Sequence, residues 1–460
     1  MKKGPKVVVI GAGSYFFGRP VIYNMIHSEI LRQGTLALVD TNPAVLDTMM
    51  KLARHAKEHA GYGPEVIGST DRCEVLKDAD FVVLSFSFRN AYYRAIDTRI
   101  ALKYGVTMCS SDTIGPGGIF RAMRELPEAL RVADDVRRLA PEAWVINFIN
   151  PTSVMGIGLM RLAPDIKSFA LCDGNHEPYV RTMFLQNIGV LPEDTVLTPP
   201  EVDAKLDMAI AGVNHCTWLF RLNYDGVDCL PKLRAHVAEQ ARKEYETEPS
   251  PKAKPRLNAN YALEFMDVYG AYPTAVSHTK EYVPFFQGYG VTPTTPEPII
   301  PFDGYNRADE MAEAWAFTER LANGEESMKE FFEKSRGDHA TDIIEAMWGG
   351  LGKKFYINSA NRGAVTNLPD DAFLELRCDL TMEGPKPLKV GAMPRGILGL
   401  TQQVLDTHEL TVEAIASCDH RKLLQAMVTD PIVNNIGDAR MIIKELLEAE
   451  RDHLPEEWYK

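Results

Sequence analysis

Two hydrophobic rhythms alternate over the first 200 residues. Short unbroken apolar runs read as strands buried on both faces, and apolar positions three and four apart read as helices with one buried stripe. KVVVI, followed by the glycines of GAGS, is such a strand, and Thr35–Asn42 is a second. Between them Ile22, Met25, Ile26, Ile30 and Leu31 place a helix over 20–33. Residues 43–60 form another helix, and DFVVLSF a third strand. Helical spacing returns over 91–104 and 120–139, on either side of a glycine-rich break at 112–118. AWVINFINP is a fourth strand stopped by Pro151, and 168–172 a fifth. This alternation predicts an α/β fold with a Rossmann-like, doubly wound parallel sheet, whose ligands lie beyond the strands' C-terminal ends.

The rhythm changes near residue 200. DMAIAGVNHCTWLFRLNYDG mixes strand alternation with a glycine turn, and the charged, proline-bearing stretch 243–257 reads as a surface loop or mobile lid. Residues 309–335 and 395–451 are mainly helical. The expected division is a nucleotide-binding unit over 1–200 and an α+β substrate unit over 201–460. Composition adds exclusions. Sixty-three acidic against fifty basic residues give a net charge of −13. That disfavours a nucleic-acid or anionic-membrane partner, because both need a clustered positive field. No apolar run approaches the length of a membrane helix. The short run at 7–10 is a strand entering a turn rather than a signal peptide, so a cytoplasmic protein is expected. Seven scattered cysteines without a CxxC pair agree with that setting.

Gly11, Gly13 and Ser14 follow the first strand and precede a helix, where bare backbone can approach a pyrophosphate. Asp40 closes the second strand, where a carboxylate accepts hydrogen bonds from ribose hydroxyls and favours NAD over NADP. The third glycine of the pattern is missing: position 16 is Phe16, and the next glycine is Gly18.

Three further segments carry reactive groups near strand ends. These are Cys172-Asp173-Gly174-Asn175-His176-Glu177, Gly212-Val213-Asn214-His215-Cys216, and Asn147-Phe148-Ile149-Asn150-Pro151. A thiolate with an imidazole suits a borderline divalent metal such as Mn, Fe, Co, Ni or Zn. Taken singly, a cysteine is more often a small core residue, and an asparagine before proline is by default a turn residue.

GAGS, Asp40, DTIGPGGIFRAMRELP, WVINFINPTSV, the Cys172 block, GVNHCTW and HELTVEA stand in an order that resembles glycoside hydrolase family 4, the NAD- and metal-dependent glycosidases. DTIGPGG, INPTSV and GVNHCTW look most like its α-galacturonidase-like branch, although that branch has Cys-His-Glu-Val where this chain has Cys-Asp-Gly-Asn-His-Glu. The resemblance implies a lactate/malate dehydrogenase-like nucleotide fold and a glycosidase acting on an α-glycoside, with a uronide as one candidate. It also implies NAD and a divalent metal such as Mn²⁺ as cofactors. The sugar is oxidised transiently at C3, a base removes the C2 proton, the leaving group is eliminated, and water and hydride then add back. Cys172 and His215 match the family's metal ligands, and Asn150 its substrate-binding asparagine. Asn214 stands beside them as a further substrate contact. Asp173 is the candidate acid, or else a turn carboxylate. The base falls within 272–282, with His278 the choice and Tyr282 the alternative. Arg121 and Arg124 are candidates to hold a substrate carboxylate, or else form a solvated helix face. A homodimer or homotetramer is the expected assembly.

Two other readings remain from the residues alone. A net NAD-dependent dehydrogenase would accumulate NADH in step with product, whereas the glycosidase needs NAD only catalytically. An NAD-sensing regulator would keep its ligand response without Cys172 or His215.

Overall fold

The computed structural model describes residues 4–14, 17–172, 174–177, 179–195, 198, 200–246, 257–287, 299–335 and 338–460. Six strands open the chain: β1 (Lys6–Ile10), β2 (Thr35–Val39), β3 (Glu65–Ser69), β4 (Phe81–Leu84), β5 (Trp144–Asn147) and β6 (Ser168–Ala170). They lie side by side in the order β3-β2-β1-β4-β5-β6, every neighbouring pair parallel. This is the doubly wound order, with its reversal point between β1 and β4. β2, β4 and β5 are buried along their whole length, which is why they read as unbroken apolar runs. β3 is an addition to the strands expected from the sequence. It forms the sheet's edge and none of its residues is fully buried, so it carries no apolar run.

The helices follow their sequence signals with three corrections, the first being that the helix expected over 20–33 ends at His27 and is followed by a separate 3-10 turn, Leu31–Gln33. Helix Pro43–Ala60 starts where expected: the Asn42 side chain caps it by accepting from Ala44 N–H, and Gly61 ends it at φ 74°. The glycine-rich stretch at 112–118, expected to be a break, instead contains the first turn of helix Gly115–Leu139. Pro116 suits that turn because its missing N–H would have no helical partner there. Gly118 permits close packing, since a Cβ would stand 2.5 Å from the Thr113 carbonyl carbon. The helix expected over 309–335 is two, Gly304–Ala322 and Met328–Lys334. Of the 243–257 stretch, residues 247–256 lie outside the described residues.

Seven later strands extend the same sheet: β7 (Leu206–Val213), β8 (Cys216–Tyr224), β9 (Val227–Asp228), β10 (Tyr272–Pro273), β11 (Lys354–Ala360), β12 (Phe373–Thr381) and β13 (Gly384–Pro387). β11 joins β6 antiparallel at Asn358–Ala170, β12 pairs β11, and β7 joins β12 at Gly212–Glu375. One row therefore crosses four strands: Ala170, Asn358, Glu375 and Gly212. Since β11 runs against β6, its residues before Asn358 continue past the end of β6. The antiparallel strands thus rise over the C-terminal rim of the parallel sheet.

The C-terminal helices Arg395–Ser417, His420–Thr429 and Ile436–Ala449 fold back onto the first half. Asp430 accepts the Gly115 N–H at 2.7 Å, and Glu450 accepts from Arg124 at 2.6 Å. Among the described residues no helix is long and apolar enough to cross a membrane.

Candidate active site

The glycine turn after β1 is a local construction. Gly11, at φ 93°, lets the chain leave β1, and a Cβ there would stand 2.4 Å from the Ser85 carbonyl oxygen. Gly11 and Ala12 N–H groups both donate to Val39 O at 2.9 Å, and Ser14 N–H closes the turn on Gly11 O. Gly13 N–H donates to Asp40 at 3.0 Å, while the other Asp40 oxygen accepts Asn42 N–H. Gly18, which opens helix Gly18–His27, takes the packing role of the missing third glycine: a Cβ there would be 2.4 Å from Ala12 O. Glycines, helix N-terminus and carboxylate are arranged as a dinucleotide requires.

At the other end of the rim, two strand ends meet. Cys172 lies just beyond β6, and Asn214 and His215 turn the chain from β7 into β8, with His215 at φ 65°. Cys172 Sγ is 3.2 Å from His215 Nε2. Two such donors bound to one ion at about 2.3 and 2.1 Å stand roughly 3 Å or slightly more apart, so the pair suits a shared metal. Burial, with the neighbouring His278, pulls the His215 pKa well below its usual value, which keeps the imidazole neutral and its lone pair available. The His215 and His278 rings stack, centroids 4.0 Å apart at 11°. Behind the cysteine, His339 Nδ1 is 3.2 Å from the Cys172 carbonyl oxygen.

Beside this pair sits a buried carboxylate, Asp112. Ser110 Oγ donates to one of its oxygens. The other faces Arg121 Nη1 at 3.3 Å, Arg94 Nη2 at 3.6 Å and Asn150 Nδ2 at 3.2 Å. Burial would raise the Asp112 pKa, but Arg94 and Arg121 overcome it and hold the carboxyl well below the usual range. Asn150 is fixed on its other side by the Thr152 hydroxyl at 2.7 Å. Glu281 accepts Ser110 N–H at 2.8 Å, and burial pushes its carboxyl up to about 7. Ligand atoms of Asp112, His278 and Glu281 lie within 4.8 Å of one another.

Residues 6–191 match the family described as "Family 4 glycosyl hydrolase", and residues 210–433 match its C-terminal domain. The chain belongs to the family 4 glycosyl hydrolases. It is 28% identical to the maltose-6'-phosphate glucosidase of Bacillus subtilis, over 99% of this chain and 98% of that one. It is also 28% identical to that organism's α-galacturonidase, over 96% and 97% of the two chains. A 6-phospho-α-glucosidase from gut microorganisms, solved with NAD and Mn²⁺, shares the fold at a TM-score of 0.78 and 21% identity, covering 98% of this chain and 99% of its own.

Within this family 4 glycosidase the structure separates the residues singled out by sequence. Cys172, His215, His278, Asn150 and Arg121 come together around Asp112. Arg124 does not join them, which corrects its expected substrate role. Its guanidinium donates to Asp97 at 3.0 Å and Glu450 at 2.6 Å, with all three side chains at 2% exposure or less. Tyr282, the alternative base, is also corrected. It is fully buried, its hydroxyl donates to Asn214 O at 3.2 Å, and burial drives its pKa well above the usual value. Asn214 turns its amide to Glu375 at 3.0 Å, leaving its Oδ1 without a partner among the described residues. Glu177 is buried and paired with Arg377. Asp173 lies outside the described residues.

Sequence reasoning passed over Asp112, Arg94, Glu281 and Glu375. Asp112 opens DTIGPGG, so the motif was visible although the carboxylate was not singled out. Glu375 had a signal too: a carboxylate between two leucines in the FLEL run.

Proposed function

We propose that this family 4 glycosidase cleaves an α-glycoside bearing an anionic group, with a uronide as the first candidate, using NAD and Mn²⁺. The observation that carries the cofactor part is the 3.2 Å approach of Cys172 Sγ to His215 Nε2 on the rim that also carries the Gly11–Asp40 turn. NAD held at the Gly11–Asp40 turn would supply reversible hydride transfer at sugar C3, and Mn²⁺ held by Cys172 and His215 would supply the Lewis acidity that makes the C2 proton acidic. Cys172 and His215 are the ligands we assign to that metal. The Asp112–His278–Glu281 group suits it less, because Asp112 is already engaged by two guanidinium groups.

Each of the chain's own residues then has a task. Asp40 orients the adenosine ribose, and the Gly11–Gly13 backbone lies close to the pyrophosphate. Asn150, held between Asp112 and Thr152, positions the sugar. His278 receives the C2 proton, and its stacking on His215 sets it against the metal site. Asp173, adjoining Cys172 in sequence, protonates the leaving oxygen. Arg121 and Arg94 both face Asp112, and Arg121 Nε has no hydrogen-bond partner among the described residues. That unused buried donor supports an anionic group on the sugar.

Residues 1–200 hold the nucleotide in this reading, and 201–460 complete the substrate pocket. We also propose a cytoplasmic homodimer or homotetramer. A thiolate ligand calls for reducing surroundings, and sedimentation would show the assembly. The substrate class is tested with nitrophenyl α- and β-glycosides, uronides and 6-phosphoglycosides in the presence of NAD and Mn²⁺. Turnover of α-uronides is expected, and exclusive turnover of neutral glycosides would overturn the anionic reading.

A further inference from the structure

The two metal-bearing loops are far apart in sequence and do not pair with each other. Cys172 follows β6 and His215 follows β7, and two other strands, β11 and β12, lie between them in the sheet. Something must fix their spacing, because a metal pair tolerates only a few tenths of an ångström of error. The row Ala170–Asn358–Glu375–Gly212 links the two strands that carry the ligands: Cys172 stands two residues beyond Ala170, and His215 three beyond Gly212.

In that row only Glu375 carries a charge. Its side chain is 2% exposed. One carboxylate oxygen accepts Asn175 Nδ2 at 2.5 Å, and the other accepts Asn214 Nδ2 at 3.0 Å. Asn175 belongs to the Cys172 loop, and Asn214 immediately precedes His215. Asn175 Nδ2 also reaches Thr217 Oγ1 at 3.3 Å, and Thr217 shares a hydrogen bond with Thr274 at 2.6 Å. A buried carboxylate is costly unless its oxygens are satisfied, and here each is taken by an amide from a different loop.

We propose that Glu375 is a positioning residue for the metal site, a two-armed strut that holds the Cys172 loop and the His215 turn at the spacing one divalent ion requires. It touches neither metal nor substrate and acts through Asn175 and Asn214. A carboxylate suits the task because it accepts at both oxygens. The isosteric amide of glutamine accepts at only one, so one loop would lose its anchor and face an N–H₂ group instead.

The inference rests on the assignment of Cys172 and His215 as metal ligands, and its test separates the two claims. Mn²⁺ binding is titrated on the NAD-free full-length protein by the loss of the free-ion EPR signal. Cys172→Ala is expected to abolish binding; retention of wild-type affinity there would overturn the ligand assignment and the strut with it. With that control in hand, Glu375→Gln is expected to weaken Mn²⁺ roughly ten- to hundredfold while NAD affinity stays at the wild-type value. Unchanged Mn²⁺ affinity in Glu375→Gln would overturn the strut alone, and so would equal losses for Mn²⁺ and NAD, which mark general structural damage. Should Glu375→Gln fail to fold, Asn175→Ala cuts one arm only. A several-fold loss of Mn²⁺ affinity is expected there, and none would overturn the proposal. The double variant Asn214→Asp/Glu375→Gln reverses the donor and acceptor of one arm and is expected to recover part of the affinity.

Discussion

The proposed nucleotide turn and the proposed metal seam are built in opposite ways. The turn comes from one stretch of chain, in which Gly11, Gly13 and Asp40 are joined by β1, one helix and β2. The seam draws Cys172, His215, His278 and Glu375 from four separate segments, brought together by sheet pairing and by the Thr279 hydroxyl, which donates to His215 O beside His278. A local device can be read from spacing. A seam can be read only in part, because strand order is not written in any one segment. The same contrast appears within a single helix. Arg121 and Arg124 lie one turn apart, yet Arg121 faces Asp112 while Arg124 is locked between Asp97 and Glu450.

The sharpest way to break the comparison is to cut the seam and leave the turn. Cys172→Ala and His215→Ala should each lower kcat/KM roughly a thousandfold or more, the scale of several kcal/mol of lost transition-state stabilisation. NAD affinity, followed by nucleotide fluorescence, should not move. Next in size is Arg124→Ala. Leaving Asp97 and Glu450 buried without their cation should cost about 3–5 kcal/mol of stability, read by chemical denaturation. Arg121→Ala, in contrast, should act mainly on KM for an anionic glycoside. Equal effects of the two substitutions on both quantities would erase the distinction drawn between them.

A smaller effect concerns the frame around the glycine-rich helix start. Burial pushes the Asp430 carboxyl up to about 7 from 3.8. The folded state therefore binds that proton more tightly than the unfolded one, and Asp430 stabilises fully below about pH 4. Its contribution is lost as pH rises towards 7. Asp430→Asn should flatten this fall, measured as unfolding free energy against pH between 4 and 8. An unchanged slope would contradict the assignment. The smallest effect belongs to the turn: Asp40→Ala should raise the NAD dissociation constant roughly tenfold, the scale of one charge-assisted hydrogen bond, with Mn²⁺ affinity unaltered.

Much of this was legible in advance, for identifiable reasons. The inner parallel strands announced themselves because burial on both faces demands unbroken apolar runs, and β3 escaped because an edge strand has no such demand. The glycine-rich 112–118 segment misled because its glycines serve close packing at a helix start rather than a chain break. Cys172 and His215 were recoverable from motif order, but their 3.2 Å approach depends on strands that lie hundreds of residues apart in places. Tyr282 and Arg124 looked chemical from sequence because residue type says nothing about which face of a short helical turn or a long helix meets the core.

The central claim is cleavage through transient oxidation and loss of the C2 proton. Hydrolysis of a turned-over glycoside in D₂O, with NAD and Mn²⁺ present in catalytic amounts, tests it most directly. Deuterium at C2 of the released sugar, with no net NADH formed, is the predicted result. Full turnover with hydrogen retained at C2 would contradict the account and point to direct displacement at C1.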